Sequence, residues 1–277
     1  MTIFYAIFSS FYECSKKKAV MNNSIYEVLA LFSGIAFILI IPFSRNAFNI
    51  DMNYLLVVLL KSSIIVLAWI LGLKAIKKMQ LGIYGMLKIS TIIFSVILSS
   101  ILLKESITVS SIIGIIIVVV GLILINQTND GQSNKINNLK AIVFLLISCL
   151  LNSVSSILDK FLLSHISAGQ LQFWFLLFLM FFYWIILLLK NKNTDIKNLL
   201  KNYWIYLAAI FLIVGDRALF NANEVTSSKV IVMTMLKQLS VIFSIFLGKL
   251  FFNEKGITKK LLYSILIIIG VLIMINF

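Results

Sequence analysis

The sequence holds very few of the residues on which enzyme chemistry usually depends. It has one histidine, His165, and two cysteines, Cys14 and Cys149, in 277 residues. The cysteines lie inside apolar runs, and neither they nor the histidine have metal-ligand or redox spacing. No nucleophile elbow or phosphate-binding loop is present either. The protein is therefore predicted not to be an enzyme, and neither a metal nor a cofactor is expected.

Charge is also scarce. Charged residues make up 12% of the chain and apolar residues 61%, whereas a soluble domain is about a quarter charged. Apolar runs of about 20 residues recur along the whole length, and a helix of that size crosses about 30 Å of hydrocarbon. The chain is predicted to be an integral membrane protein with almost no soluble mass. Abundant lysine, asparagine and isoleucine are typical of an AT-rich bacterial genome, so a bacterial plasma membrane is the expected location.

Acidic residues are the scarcer kind of charge, with 10 against 24 basic residues and a net charge of +14. Because the lysines lie mostly between apolar runs, anionic lipid headgroups are the expected partner and nucleic acid is not. Most lysines fall on one face of the predicted bundle, and the other face holds Arg45, Lys104 and Lys229. The positive-inside rule would place the first face in the cytoplasm and both termini outside.

One stretch of the sequence occurs twice. Residues 86–105 and 235–254 are identical at 8 of 20 aligned positions, and each copy is followed by a short break and another apolar run. An internal repeat of this kind indicates two related halves, each ending in the same helical hairpin. Glu105 and Glu254 end the two copies, and each is predicted to cap the helix that follows it.

Ten apolar spans are predicted, five in each half. Because five is odd, the second half must enter the membrane in the opposite sense to the first, which gives an inverted repeat with a substrate site near the midplane. The predicted domains are a five-helix repeat at 1–126, a polar linker at 127–138 and a second five-helix repeat at 139–277. The predicted spans are 2–16, 25–43, 54–73, 81–103, 109–125, 139–163, 170–189, 204–221, 230–252 and 260–275.

Short motifs around the repeated hairpin point to a family. They are LKESIT at 103–108 followed by Gly114 and Gly121, the second copy FNEK at 252–255 followed by Gly270, and ILDKF at 157–161. In these motifs the sequence resembles the drug/metabolite transporter superfamily, of the EamA-like ten-span type. The resemblance implies an all-α membrane protein with ten transmembrane helices in two inverted five-helix repeats, and a transport function. It also implies cytoplasmic termini, which is the reverse of the lysine tally, so the orientation stays open.

The chain departs from the family in its prolines. Members often have a proline early in the fourth and ninth spans, where this sequence has Ile92 and Val241. Pro42 is the only proline in the chain. Any kinks in those two helices must therefore have a cause other than proline.

Lys88 and Lys237 occupy equivalent positions in the two repeats and are the first candidates for substrate binding. Each is predicted to lie about eight residues, or roughly 12 Å, inside its span. A buried ammonium in hydrocarbon is costly and normally faces a wet cavity or a counter-charge. The two lysines are predicted either to clamp a carboxylate or phosphate of the substrate or to be neutralised by an acid such as Glu13 or Asp216.

Further intramembrane charges are candidates for binding and coupling. Asp216 and Arg217 are neighbours in the eighth span and point about 100° apart, so one is expected to face the cavity and the other a neighbouring helix. Glu13 is predicted either to carry a coupling proton or to pair with Lys16 or Lys17 one turn away. Asp159 lies near the end of the sixth span, where it is predicted to form part of a gate or a pair at headgroup level.

Uncharged polar and aromatic residues complete the predicted site. Asn152 and Ser156 belong to a polar cluster in the sixth span, where small polar residues either contact substrate or mediate helix packing. Trp69 and Tyr84 lie within the third and fourth spans and are predicted either to line the pocket or to pack between helices.

The substrate class stays open at the level of sequence. An amino-acid-like compound or another organic anion fits the lysine pair, whereas a cationic or amine compound would require Glu13 and Asp216 to dominate the pocket. The alternatives to solute transport are lipid translocation and an accessory membrane subunit. The partners expected are a small-molecule substrate and membrane lipids, with the protein as a monomer or a homodimer.

Overall fold

The computed structural model describes residues 2–44, 46–102, 108–126, 139–190, 196–225 and 240–275, and within these ranges the secondary structure is entirely helical. The first part of the chain contains α1 (Thr2–Met21), α2 (Ile25–Ile40), a 3-10 turn (Ile41–Phe43), α3 (Met52–Ile76), α4 (Leu81–Leu87), α5 (Ser90–Leu102) and α6 (Val109–Asn126). The second part contains α7 (Leu139–Leu163), α8 (Ala168–Lys190), α9 (Ile196–Leu200), α10 (Tyr203–Val225), α11 (Ser240–Phe252) and α12 (Ile257–Ile275).

Six stretches of the described ranges are long and apolar enough to cross a membrane, which makes the chain an integral membrane protein. They are Ile25–Phe43, Met52–Ile76, Leu81–Leu102, Leu139–Leu163, Ala168–Lys190 and Tyr203–Asn221. Two shorter apolar helical stretches, Ile112–Gly121 and Ser240–Phe252, accompany them. The count of ten spans in two inverted repeats therefore stays a prediction.

The first helix is longer than its sequence predicts. It was expected to end near Lys16, but α1 continues to Met21. Lys16 and Lys17 are only 4% and 8% exposed, because both ammonium groups form ion pairs with buried carboxylates. A run of lysines that would normally mark a loop is thus held inside the helical bundle.

The fourth predicted span is interrupted between α4 and α5. The amides of Thr91 and Ile92 donate to the carbonyls of Lys88 and Ile89, three residues back, at 3.1 and 2.8 Å. The Thr91 hydroxyl also donates to the Lys88 carbonyl at 2.7 Å. A tightened turn with a side chain in the hydrogen-bond ladder explains the break without a proline.

The helices pack mainly in pairs that join the two parts of the chain. The most extensive pairs are α6 with α12, α1 with α10, α3 with α7, α2 with α8, α1 with α11, α5 with α7, α3 with α8 and α4 with α11. Small residues permit the closest of these approaches, as is usual in membranes. A Cβ at Gly270 on α12 would lie 3.0 Å from the Gly114 carbonyl oxygen on α6.

The turn between α11 and α12 corrects one expectation. Asn253 and Gly256 adopt positive φ angles of 50° and 72°, so the chain reverses sharply around Glu254. The Glu254 carboxylate does not cap the helix that follows it. It accepts hydrogen bonds from the amides of Leu81 and Gly82 at the start of α4.

A charged cavity between the two parts of the chain

A cavity of about 120 Å³ lies inside the bundle. Its walls come from α1, α3 and α4 in the first part of the chain and from α7, α8 and α10 in the second. Aromatic rings and small residues form much of the surface, and polar groups are distributed among them. The polar and charged side chains on the wall are Tyr5, Ser9, Tyr12, Glu13, Lys16, Lys61, Trp69, Tyr84, Lys88, Ser148, Asn152, Ser155, Ser156, Asp159 and Asp216.

Glu13 is the centre of one group of charges on this wall. Its Oε1 lies 2.5 Å from the Lys88 Nζ, and its Oε2 lies 2.9 Å from the Lys16 Nζ. Glu13 and Lys16 meet because they are three residues apart on α1. The break between α4 and α5 places Lys88 opposite them. The side chains of Glu13 and Lys16 are each 6% exposed, whereas that of Lys88 is 33% exposed, so Lys88 is the most accessible charge of the group.

Lys61 and Asp159 form a second pair across α3 and α7, with 2.8 Å between Nζ and Oδ1. Their side chains are 2% and 9% exposed. The Lys61 ammonium also lies 3.6 Å from the ring centroid of Phe175 and 5.3 Å from that of Phe220. Electrostatic attraction by the two ring faces stabilises the buried charge in addition to the carboxylate.

The charges on the wall balance one another. Of the described residues that line the cavity, Lys16, Lys61 and Lys88 are basic, and Glu13, Asp159 and Asp216 are acidic. Glu13 pairs with Lys88, which is the neutralisation predicted as the alternative to a lysine clamp.

Three buried oxygens on the wall nevertheless lack a hydrogen bond from any described residue. They are the Tyr12 hydroxyl, Glu13 Oε2 and Asp159 Oδ1. The two carboxylate oxygens have a lysine within ion-pairing distance, but the approach does not meet hydrogen-bond geometry. Buried polar atoms are nearly always satisfied in proteins. Of the three, only the Tyr12 hydroxyl has neither a hydrogen bond nor an ion pair among the described residues.

The structure brings together most of the residues predicted from sequence. Eight of them line the cavity: Glu13, Trp69, Tyr84, Lys88, Asn152, Ser156, Asp159 and Asp216. Arg217 does not, because the adjacent side chains diverge and its guanidinium approaches α8, where a Cβ at Gly169 would lie 3.2 Å from Nη1. Lys237 lies outside the described residues.

Lys61 is the main residue that the sequence analysis missed. It lies in the middle of the third predicted span, and an ionisable residue at that depth is a signal of function or of a buried pair. Lys16 was considered only as a partner of Glu13, although it also lines the cavity. The aromatic wall residues Tyr12, Phe175 and Phe220 carry no such signal, because aromatic residues are frequent throughout the chain.

An all-helical membrane protein with a charged cavity enclosed by helices from both parts of the chain has the arrangement of a solute transporter. The model of the EamA-like transporter family matches residues 1–127 and 139–276. The chain therefore belongs to the EamA-like transporter family, and this membership points to a membrane transporter rather than to an enzyme.

A solved structure shows the same fold. One crystal structure of a protein aligns with a TM-score of 0.73 at 11% sequence identity, over 98% of this chain and 94% of that chain. At this identity the likeness concerns the fold alone. No curated protein matches the sequence.

Proposed function

We propose that the protein is a secondary transporter that moves a small polar metabolite across the membrane by alternating access. Two five-helix repeats, 1–126 and 139–277, would be joined by the linker 127–138 and inserted in opposite senses. The observation that supports this most strongly is the cavity, because α1, α3 and α4 of one repeat and α7, α8 and α10 of the other build it together. Sites at repeat interfaces are typical of such transporters. A bacterial plasma membrane is the proposed location, with the protein acting as a monomer or a homodimer among anionic lipid headgroups.

Within the predicted substrate class, an amino-acid-like zwitterion fits better than a simple organic anion. An anion would add an uncompensated charge to a wall whose described acids and bases are equal in number, and unpaired buried charge is strongly unfavourable. A zwitterion adds none. Its carboxylate can bind the accessible Lys88 ammonium, and its ammonium group can pair with the Glu13 carboxylate that Lys88 then shares.

The acidic side chains on the wall also support the runner-up substrate class. A cationic or amine compound could pair with one of these acids, but it would leave the cavity with one positive charge in excess. We assign Glu13 to coupling, since its carboxylate joins two lysines and a proton on it would release both. We assign Asp159 to gating, because its pair with Lys61 links α3 of one repeat to α7 of the other.

Counterflow in liposomes tests the proposal. Purified protein is reconstituted with a neutral amino-acid mixture, a monocarboxylate or a diamine inside, and uptake of the same labelled compound is followed. We expect the amino acids to exchange and the Lys88→Met variant to lose this exchange. Lys78→Met removes the same charge from an exposed position and should exchange like the parent. Exchange of the diamine alone would reverse the proposed substrate class, and no exchange of any solute would overturn the transport function.

A further inference from the structure

A second group of charges lies beyond the cavity, around Glu254. Its carboxylate accepts from the Leu81 amide and, at 3.1 Å, from the Gly82 amide. The ammonium groups of Lys17 and Lys260 lie 3.4 and 3.5 Å from its two oxygens. Four donors therefore converge on one carboxylate, which is 8% exposed as a residue.

The two lysines are themselves anchored at the start of α4. The Lys17 ammonium donates to the Met79 carbonyl at 2.8 Å, and the Lys260 ammonium donates to the Gln80 side-chain oxygen at 2.7 Å. Lys17 comes from α1, and Lys260 comes from α12. The cluster thus fastens the α11–α12 turn of the second part of the chain to α1 and α4 of the first part.

The cluster lies at one end of the cavity. Lys17 directly follows Lys16, which lines the cavity, and Leu81 lies one turn before Tyr84, which also lines it. The end in question is therefore the one at which α1 ends and α4 begins. Here the Glu254 contacts join the α11–α12 turn to α1 and α4.

We propose that Glu254 is the latch of a gate that keeps this end of the cavity closed. The proposal rests on the proposed function, because alternating access requires the two repeats to separate at each end in turn. When this end opens, the α11–α12 turn leaves α1 and α4, and the contacts of Glu254 with Lys17, Leu81 and Gly82 break together. When it closes, they re-form as a unit, which makes the closed arrangement a discrete state.

A glutamine at this position is nearly isosteric but has the wrong chemistry. Its amide supplies one acceptor oxygen, and its NH₂ group would face donors, since two backbone amides and two ammonium groups surround the site. Hydrogen bonds to a charged partner are the strong ones. Glu254→Gln should therefore shift the population toward the arrangement that is open at this end.

The native cysteines provide the readout. Cys14 is 1% exposed and lies one turn before Lys17 on the same face of α1, which packs against α11. In a Cys149→Ser background it is the only thiol in the chain. We expect a membrane-impermeant maleimide, applied from both sides of the proteoliposome membrane, to label Cys14 in Glu254→Gln at least about tenfold faster than in the parent. That factor is the lower range for removing one charge-assisted hydrogen bond.

Glu27→Gln is the matched control. Glu27 is also a carboxylate at a helix start, but it accepts from the Ser24 amide in its own helix cap at 3.1 Å. Its labelling rate should equal that of the parent. Lys260→Met, which leaves the Glu254 charge in place, should give a smaller increase and replaces Glu254→Gln if that variant does not fold. The latch proposal would be overturned if Glu254→Gln is labelled at the parent rate. The same holds for Lys260→Met where it replaces that variant.

The labelling assay separates this proposal from the transport function. Counterflow is measured on the same vesicles. Exchange by the parent together with unchanged labelling of Glu254→Gln means that the protein transports and that Glu254 is no latch. Absence of exchange in the parent means that the proposed function has failed, and the latch is then overturned as a transport device even if labelling rises.

Discussion

The Glu13 and Glu254 clusters are built from the same parts but differ in how well they are satisfied. Each has a buried carboxylate between two lysines, and each connects segments far apart in the sequence. Glu254 has two backbone amides in addition, and the side chains of its lysines are 10% and 1% exposed. Among the described residues, Glu13 is held by its two lysines alone, at 2.9 and 2.5 Å, and one of them, Lys88, is one-third exposed.

This difference distinguishes a role in ligand binding from a role in holding helices together. A buried carboxylate that is fully satisfied contributes to holding helices together, and a ligand would have to displace existing donors to reach it. The Glu13 cluster differs because Lys88, which lines the cavity, is one-third exposed, so a ligand can reach a charge there without breaking backbone hydrogen bonds. The contrast therefore favours the Glu13 side of the molecule for the proposed substrate contact and the Glu254 side for the proposed closure.

The largest effect is expected at Lys61. Lys61→Met removes the counter-charge of Asp159, whose carboxylate is almost completely buried. Removing one partner of a buried ion pair leaves the other charge uncompensated and costs about 3–5 kcal/mol. The free energy of unfolding should therefore fall by about that amount. The measurement is unfolding of the purified protein in detergent by denaturant or heat.

The double variant Lys61→Met/Asp159→Asn provides the control for this prediction. It removes both charges, so most of the lost stability should return. If Lys61→Met is as stable as the parent, the cavity ion pairs are not held by charge balance, and the comparison between the two clusters loses its basis.

A smaller effect is expected from a methyl group at Gly248 on α11. A Cβ there would lie 2.7 Å from Glu254 Oε2, so Gly248→Ala must displace the carboxylate. Overpacking of this kind costs about 1–3 kcal/mol, measured as a loss of unfolding free energy. Gly215→Ala on α10 is the matched change at the cavity, because its Cβ would meet Phe8 and Tyr5 only at 3.9 Å or more.

Gly215→Ala should leave stability unchanged or raise it by up to about 1 kcal/mol, the helix preference of alanine over glycine. Equal losses in the two variants would mean that the Glu254 cluster is no more tightly packed than the cavity wall.

The sequence was sufficient to find most of the charged residues of the cavity, but it left their pairing open. Glu13, Lys88 and Asp216 stood out because ionisable residues inside apolar runs are rare. The pairing of Glu13 with Lys16 followed as one alternative from their spacing on α1. Glu13 and Lys88 are 75 residues apart, so the sequence could not decide between neutralisation of Lys88 by Glu13 and a lysine clamp.

The Glu254 latch was beyond sequence analysis for a similar reason. A glutamate at a hairpin turn usually caps the next helix, and only the packing of α11 against α4 brings it to the Leu81 amide, 173 residues away. The interruption after Lys88 was equally hidden, since it depends on a threonine hydroxyl that bonds to the backbone. Apolar periodicity predicts which segments are helices, whereas long-range polar contacts decide how those helices are joined.

The smallest effect tests whether the Tyr12 hydroxyl serves a ligand. Tyr12→Phe removes a buried hydroxyl that has no hydrogen bond from a described residue, and it keeps the ring that the Lys16 ammonium contacts at 4.1 Å. The unfolding free energy should change little, while the half-saturating concentration of the best exchanged amino acid should rise about fivefold, the effect of about 1 kcal/mol.

Ser153→Ala is the opposite case, because the Ser153 hydroxyl lies within 2.9 Å of both the Thr91 and Cys149 carbonyls and is not among the lining residues. It should lose about 1 kcal/mol of stability with unchanged half-saturation. If Tyr12→Phe instead loses stability and keeps its half-saturation, the open hydroxyl belongs to the packed bundle, and the division between a binding cluster and a fastening cluster is wrong at that position.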